Sequence, residues 1–273
     1  MSAAVLVPPL VVVLLLGEPW IALLVLAIVA GAAWETFRLV QAAGSPVLAI
    51  LGTVLAVVVA GSIGLASLPN PIAVGAPALA AVAIVLLAAG ALARHDPRDG
   101  LAAWMATTFG VLYASLLGFV PALGALAPEP AVGSPLAAFG ADRSWILVLV
   151  LAVWCYDSGA YLVGSRVGGR RFLTHISPSK TYAGLVGGLV AAALVTTALV
   201  VWLGRPPVAG LALGLLVGLA AQAGDLAESM LKRGAGVKDS GTLIPGHGGL
   251  LDRVDSFLFA APVTALYVLA LFR

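Results

Sequence analysis

Charge is scarce in this chain. Only 10% of its 273 residues are Asp, Glu, Lys or Arg, the formal net charge is +2, and no Lys/Arg-rich run or basic arm occurs. A protein that grips a phosphodiester backbone needs a basic stripe, so DNA and RNA are excluded as partners. Cysteine is scarcer still. Cys155 stands alone in the apolar run LAVWCYD, which excludes an intrachain disulfide and a thiolate metal cluster and leaves a small packing residue. No repeat of fixed period is visible either, which removes solenoids and arrays.

What the chain has instead is apolar length. Hydrophobic residues make up 62% of it, and the mean hydropathy of +1.12 lies far outside the range of soluble domains. A helix crossing the hydrocarbon core needs about 20 mainly apolar residues. Runs broken by Gly, Pro or charge give nine candidate spans: 4–16, 20–34, 47–68, 72–93, 101–121, 145–166, 181–203, 208–230 and 255–272. Residues 5–16 read as a short first span rather than a secretory leader, because no Lys or Arg precedes them and Gly17, Glu18, Pro19 and Trp20 read as a turn. One long broken helix over residues 5–40 and a re-entrant piece within 111–139 are the alternatives.

With nine spans, alternate loops on one side hold Arg38, Arg94, Arg98, Arg166, Arg170, Arg171, Lys180, Lys232, Arg233, Lys238 and Arg253; the other side holds Arg143, Arg205 and Arg273. The positive-inside rule makes the first side cytoplasmic. The expected architecture is therefore an all-α polytopic membrane protein of nine transmembrane helices, integral to the cytoplasmic membrane. Residues 1–273 read as one domain: 1–144, poor in polar groups, as scaffold and lipid-facing helices, and 145–273 as the half with a polar site on its cytoplasmic side.

That site is signalled by charge where charge is expensive. Asp225, Glu228, Asp239, Asp252 and Asp255 lie with Lys232, Arg233, Lys238 and Arg253 within 31 positions. A lone acid or base at mid-membrane costs about 2.5–3.5 kcal/mol, so acids bordering apolar spans must face a polar cavity or a metal. Asp225, Glu228, Ser229 and Lys232 share one helical face, and Asp252 and Asp255 repeat an i, i+3 pair at the start of the last span. Carboxylates on two helix ends suit a hard cation such as Mg2+ holding substrate phosphates. The alternative is that these acids pair with Lys232, Arg233 and Arg253 to fasten helices.

The intervening Pro245, Gly246, His247, Gly248 and Gly249 precede a helix start, where backbone N–H groups favour anions. This makes a phosphate cradle with His247 as a further donor, or simply a structural turn. Upstream, Ser177, Pro178, Ser179, Lys180 and Thr181 lead into a span: the hydroxyls would cap that helix and Lys180 would reach a phosphate, or serve as a positive-inside charge. Asp157 lies well inside its span and needs a base or metal.

These residues resemble a known family. Ser229-x-x-Lys232-Arg233, Lys238-Asp239 and Pro245-x-His247-Gly248-Gly249-x-x-Asp252-Arg253-x-Asp255 are similar to the signature of phosphatidate cytidylyltransferases, or CDP-diglyceride synthases. Asp157 to Tyr161 and Ser177-Pro178-x-Lys180-Thr181 resemble the family too, whereas Ser179 and Tyr182 depart from it. The resemblance implies the reaction of CTP with phosphatidate to CDP-diacylglycerol and pyrophosphate, with a divalent cation, Mg2+, and room for a second metal ion. It implies Asp225 and Asp252 as metal ligands, with Asp255, Asp239 and Asp157 as further candidates. Lys180 and Lys232 join them as catalytic residues. Ser177, Thr181, Ser229, Arg233, Lys238, His247, Gly248, Gly249 and Arg253 are then the substrate-binding set, with membrane lipids around the chain and a homodimer left open. The rivals are a polyprenol kinase or ether-lipid cytidylyltransferase of related fold, and a secondary transporter, which would need matching polar breaks in both halves.

Overall fold

The computed structural model describes residues 11–64, 75–241 and 248–272. The regular elements among them are helices: α1 (Trp20–Ala42), α2 (Ala49–Gly64), α3 (Gly75–Ala91), α4 (Pro97–Ser115), α5 (Phe119–Leu126), α6 (Gly140–Val167), α7 (Tyr182–Trp202), α8 (Pro207–Gly234) and α9 (Leu251–Phe272). Short 3-10 turns at Leu116–Gly118 and Ala137–Phe139 precede α5 and α6. The chain is thus all-helical among the described residues. Six stretches of the described residues are long and apolar enough to cross a membrane: Trp20–Ala42, Pro97–Leu126, Ala137–Val167, Tyr182–Trp202, Pro207–Gly234 and Leu251–Phe272. Two apolar helices, Ala49–Gly64 and Gly75–Ala91, are shorter.

The sequence-predicted spans from the second onward each coincide with a helix, but their ends move. Most of the first lies outside the described residues; its remainder, 11–16, is helical and ends at the turn around Gly17, whose φ of 73° favours glycine. The second runs on to Ala42 instead of stopping at residue 34, because the polar residues that follow are absorbed by the helix and its packing. Thr36 returns its hydroxyl to the Ala32 carbonyl at 2.8 Å, and Glu35 is buried. The region 111–139 leaves α-helical geometry at Leu116–Gly118, where a side chain on Gly118 would collide with the backbone of Ala60.

Two compact units form: Met1–Ala122 with Met230–Val254, and Leu123–Ser229 with Asp255–Arg273. The first is built on α1 to α4. Phe37 of α1 is fully buried, and its ring fills the space left by Gly52 on α2 and Gly110 on α4, where any Cβ would overlap it. Asp96 starts α4 by accepting from the Arg98 amide at 2.8 Å, with Pro97 in the first turn.

The second unit is centred on α6 and α7, which approach through small residues in the manner of membrane helix pairs. Gly159 faces Ala191 and the Gly187 carbonyl, and Gly164 faces Gly184. Trp145, wholly buried, donates its indole N–H to the Pro128 carbonyl at 3.0 Å. Tyr267 of α9 donates to the Ala209 carbonyl of α8 at 2.8 Å.

Candidate active site

In the first unit the polar residues gather around Asp252, in the first turn of α9. Lys232, near the end of α8, donates to Asp252 Oδ1 at 2.6 Å, and both side chains are nearly buried, at 12% and 10% exposed. Asp252 Oδ2 receives the Ser240 amide at 2.9 Å and the Gly249 amide at 2.8 Å, and the Ser240 hydroxyl lies 2.9 Å away. A carboxylate carrying this many donors is well compensated for leaving water.

A second carboxylate completes this cluster, one that the sequence pattern does not single out. Glu35 of α1, only 3% exposed, accepts the amide of Leu250 at 3.0 Å on Oε1 and that of Leu251 at 2.8 Å on Oε2. Ser240 Oγ lies 3.0 Å from Glu35 Oε2. Three successive amides, those of Gly249, Leu250 and Leu251, are therefore held by carboxylates. They are the groups a phosphate cradle at this helix start would use, so in this conformation the cradle is filled from within.

The other predicted residues of this unit lie on its surface. Arg233 donates to the Val237 carbonyl at 3.1 Å, and Arg233, Lys238, Asp239 and Arg253 are all exposed. Gly248, at φ 81°, sits against Asp252 and Asp239, where a side chain would crowd the Asp252 carboxylate. His247 lies outside the described residues.

In the second unit the acids meet a lysine. Lys180 forms a salt bridge with Asp225 of α8, with 27% and 20% of the side chains exposed. Asp157 of α6 lies within the electrostatic reach of both Lys180 and Asp225.

Helix packing sets the positions of Asp157 and Asp225 through their neighbours in sequence. Tyr156 is almost wholly buried, with its ring against Gly188 of α7 and Gly218 of α8, and it donates to Gln222 Oε1 at 2.8 Å. At Gly224 the α8 backbone packs directly on the Asp255 carbonyl of α9, leaving no room for a Cβ. The Asp255 carboxylate accepts from the Ser256 amide at 2.6 Å.

Lys180 is delivered by a closed loop. Phe172 donates its amide to the Lys180 carbonyl at 3.2 Å, Tyr182 donates to the Arg170 carbonyl at 3.0 Å, and Arg171 bridges to Thr181. Thr181 caps α7, accepting from the Gly184 amide at 3.1 Å. Ser177 is buried within the same loop, and Ser229 is buried on α8.

The donors for a metal are of the hard, carboxylate kind that suits Mg2+. Among the described residues no three Asp, Glu, His or Cys side chains are gathered to hold an ion. Each principal aspartate instead holds an ammonium group, Asp225 that of Lys180 and Asp252 that of Lys232. Each unit thus has its own pair of opposite charges, Asp252 with Lys232 in the first and Asp225 with Lys180 in the second.

The model of the Cytidylyltransferase family matches residues 1–271. The chain belongs to that family. Among curated proteins similar to this cytidylyltransferase-family chain, the phosphatidate cytidylyltransferase of Synechocystis sp. is 48% identical over 132 residues, covering 46% of this chain and 44% of the relative. That of Bacillus subtilis is 46% identical over 131 residues, covering 47% and 48%. That of Staphylococcus aureus is 40% identical over 162 residues, covering 57% and 62%. The matched part thus spans about half the length of these relatives.

Proposed function

We propose that this chain transfers the cytidylyl group of CTP to phosphatidate, giving CDP-diacylglycerol and pyrophosphate. The observation that carries the reading is the pairing of Asp225 with Lys180 and of Asp252 with Lys232, at signature positions of a chain whose relatives are named phosphatidate cytidylyltransferases.

In this reaction a phosphate oxygen of phosphatidate attacks the α-phosphorus of CTP. The bond from that phosphorus to the bridging oxygen breaks, and pyrophosphate leaves with the electron pair. The nucleophile is already anionic near neutral pH, so no strong general base is needed. The obstacle is repulsion between two anions, followed by charge on the leaving group, which positioned cations relieve. Lys180 and Lys232, each resting on an aspartate, are the proposed phosphate clamps. Arg233, Lys238 and Arg253, exposed on the loop side, draw in the triphosphate, and Ser177, Thr181, Ser229, His247, Gly248 and Gly249 border the substrates.

Asp225 and Asp252 are the proposed ligands of Mg2+, which when bound would neutralise phosphate charge and polarise the attacked phosphorus. Asp157, Asp239 and Asp255 stand as further candidates. Lys180 and Lys232 rest on these same aspartates, so the residues that would hold the ion and those proposed to clamp phosphate stand side by side. The eleven-to-three distribution of Lys and Arg supports nine spans with the site open to the cytoplasm, where CTP is found.

The test is direct. The purified full chain with radiolabelled CTP, phosphatidate and Mg2+ should form CDP-diacylglycerol and pyrophosphate, and Asp225→Asn or Asp252→Asn should nearly abolish this. No product from phosphatidate, with product from a polyprenol or an ether-lipid phosphate in the same panel, would overturn the substrate assignment. Full turnover by both variants would overturn the roles of the aspartates.

A further inference from the structure

Glu35 is a buried carboxylate whose described partners are all neutral donors: two backbone amides and a serine hydroxyl. Burying an ionisable group is costly, and an ordinary helix start is capped by a local Ser, Thr, Asp or Asn. Here the start of α9 is capped from α1, across more than two hundred residues of sequence. A remote cap does what a local one cannot: it fixes where the loop before α9 lies against another helix.

The surroundings are shaped to allow it. A side chain at Gly241 would come within 2.5 Å of Glu35 Oε1, and one at Gly31 within 2.5 Å of Leu250 Cδ2. At Gly249 it would collide with both Ser240 Oγ and Glu35 Oε2. The missing side chains at Gly241 and Gly249 thus leave room for the carboxylate, and that at Gly31 leaves room for Leu250. Ser240 joins this carboxylate to the next, since its hydroxyl lies 3.0 Å from Glu35 Oε2 and 2.9 Å from Asp252 Oδ2 and can donate to either. Glu35 grips the amides of residues 250 and 251 while Asp252 grips those of 240 and 249, so the two acids hold four backbone amides between them.

We propose that Glu35 is a positioning residue: through Ser240 and the amides of Leu250 and Leu251 it holds the first turn of α9 so that Asp252 stays aimed at Lys232, the proposed phosphate clamp. The backbone part stands on this unit alone; the consequence for turnover rests on the cytidylyltransferase reading. Glu35 touches no reacting atom, and its influence passes through Asp252.

The experiment uses the full chain in detergent or nanodiscs, comparing wild type with Glu35→Gln, Glu35→Asp and Ser240→Ala. Hydrogen exchange of peptides covering residues 248–252 and steady-state kinetics in CTP and phosphatidate are both measured. For Glu35→Gln, exchange at Leu250 and Leu251 should quicken about 10-fold, the change expected when one charge-assisted hydrogen bond is lost. Its kcat should fall about 10²-fold, as for misplacement of a catalytic group by about 1 Å, with both KM values changing much less. Glu35→Asp, which keeps the charge, should recover part of the kcat.

Wild-type exchange and kcat in Glu35→Gln would overturn the proposal. So would a loss confined to the yield of folded protein, with kcat per folded molecule intact. If Glu35→Gln does not fold, Ser240→Ala decides: it removes the link between the two acids and should lower kcat about 10-fold, and unchanged turnover would overturn the proposal. A wild type that makes no CDP-diacylglycerol would overturn the functional reading instead, and the exchange measurement would still decide the role of Glu35.

Discussion

Lys232 Nζ lies 2.6 Å from Asp252 Oδ1, and the two residues depend on this contact unequally. Asp252 has other donors, the amides of Ser240 and Gly249 and the Ser240 hydroxyl, which remain when the lysine is removed. Deleting the aspartate strips both amides of their acceptor at once, while the Ser240 hydroxyl keeps Glu35. Thermal unfolding of the two alanine variants should therefore show Lys232→Ala destabilised by about 1–2 kcal/mol and Asp252→Ala by about 3–5 kcal/mol. The double variant should lose less than the sum, because the second substitution removes an interaction already broken. Equal losses, or strict additivity, would mean that the pair is not the anchor of this turn.

The pair between Lys180 and Asp225 leads to a kinetic expectation. Lys180 is held by a loop closed on both sides, so replacing it removes charge without loosening its frame. Lys180→Ala should lower kcat for cytidylyl transfer about 10²–10³-fold, the loss typical of one stabilising group at the reacting centre, while the melting temperature changes little. Lys180→Arg should recover little, because a planar guanidinium does not reproduce a compact ammonium. Rates near wild type for the alanine variant would remove Lys180 from the clamp.

The acids and bases of residues 225–255 were readable because charge beside apolar spans is rare, and spacing set Asp225, Glu228 and Lys232 on one helix face and paired Asp252 with Asp255. The helices themselves were readable as apolar runs. Glu35 was not. It is a single carboxylate whose charged neighbour at helical spacing, Arg38, reads as an ordinary cytoplasmic-side base, so it looks like the polar end of a span. Its partners are backbone amides, which carry no side-chain signal, and a serine 205 residues away. What hinted at it is the apolar stripe of Ile21, Val25, Val29 and Ala32, which continues through Thr36 and Phe37. An acid inside a continuing helical pattern deserves a search for its donors. The contact of Tyr156 with Gln222 was equally unreadable, since neither residue is unusual in a helix and their approach depends on Gly188 and Gly218.

Two glycines on one helix should respond in opposite ways to the same methyl group. At Gly224 an added Cβ would meet the Asp255 carbonyl oxygen and crowd Ser256 Cα at 3.2 Å, whereas at Gly234 nothing lies within 4 Å. Gly224→Ala should destabilise by about 1–3 kcal/mol through overpacking, and it should cut turnover further by displacing the adjacent Asp225. Gly234→Ala should leave activity intact and stabilise by up to about 1 kcal/mol, since alanine is the better helix former. Thermal melts and rates on the two proteins check both halves; a stable, active Gly224→Ala would mean that α8 and α9 do not touch there.

Tyr156→Phe separates shape from hydrogen bonding at the residue before Asp157. The ring still fills the space between Gly188 and Gly218, so no cavity forms and the helices have no reason to shift. What disappears is the hydroxyl that donates to Gln222 Oε1 at 2.8 Å, leaving a buried amide oxygen short of a donor. The expected cost is about 1–3 kcal/mol of stability, the penalty for an unsatisfied buried acceptor. Gln222→Leu in the same background should restore part of it, because an apolar side chain of similar length has no group to leave unpaired. If the hydrogen bond only fastens α6 to α8, kcat falls with stability and returns with it. Recovery of stability without recovery of kcat would instead show that the polar contact orients Asp157 toward Lys180, and the comparison of melting temperature with turnover across the three proteins distinguishes the two.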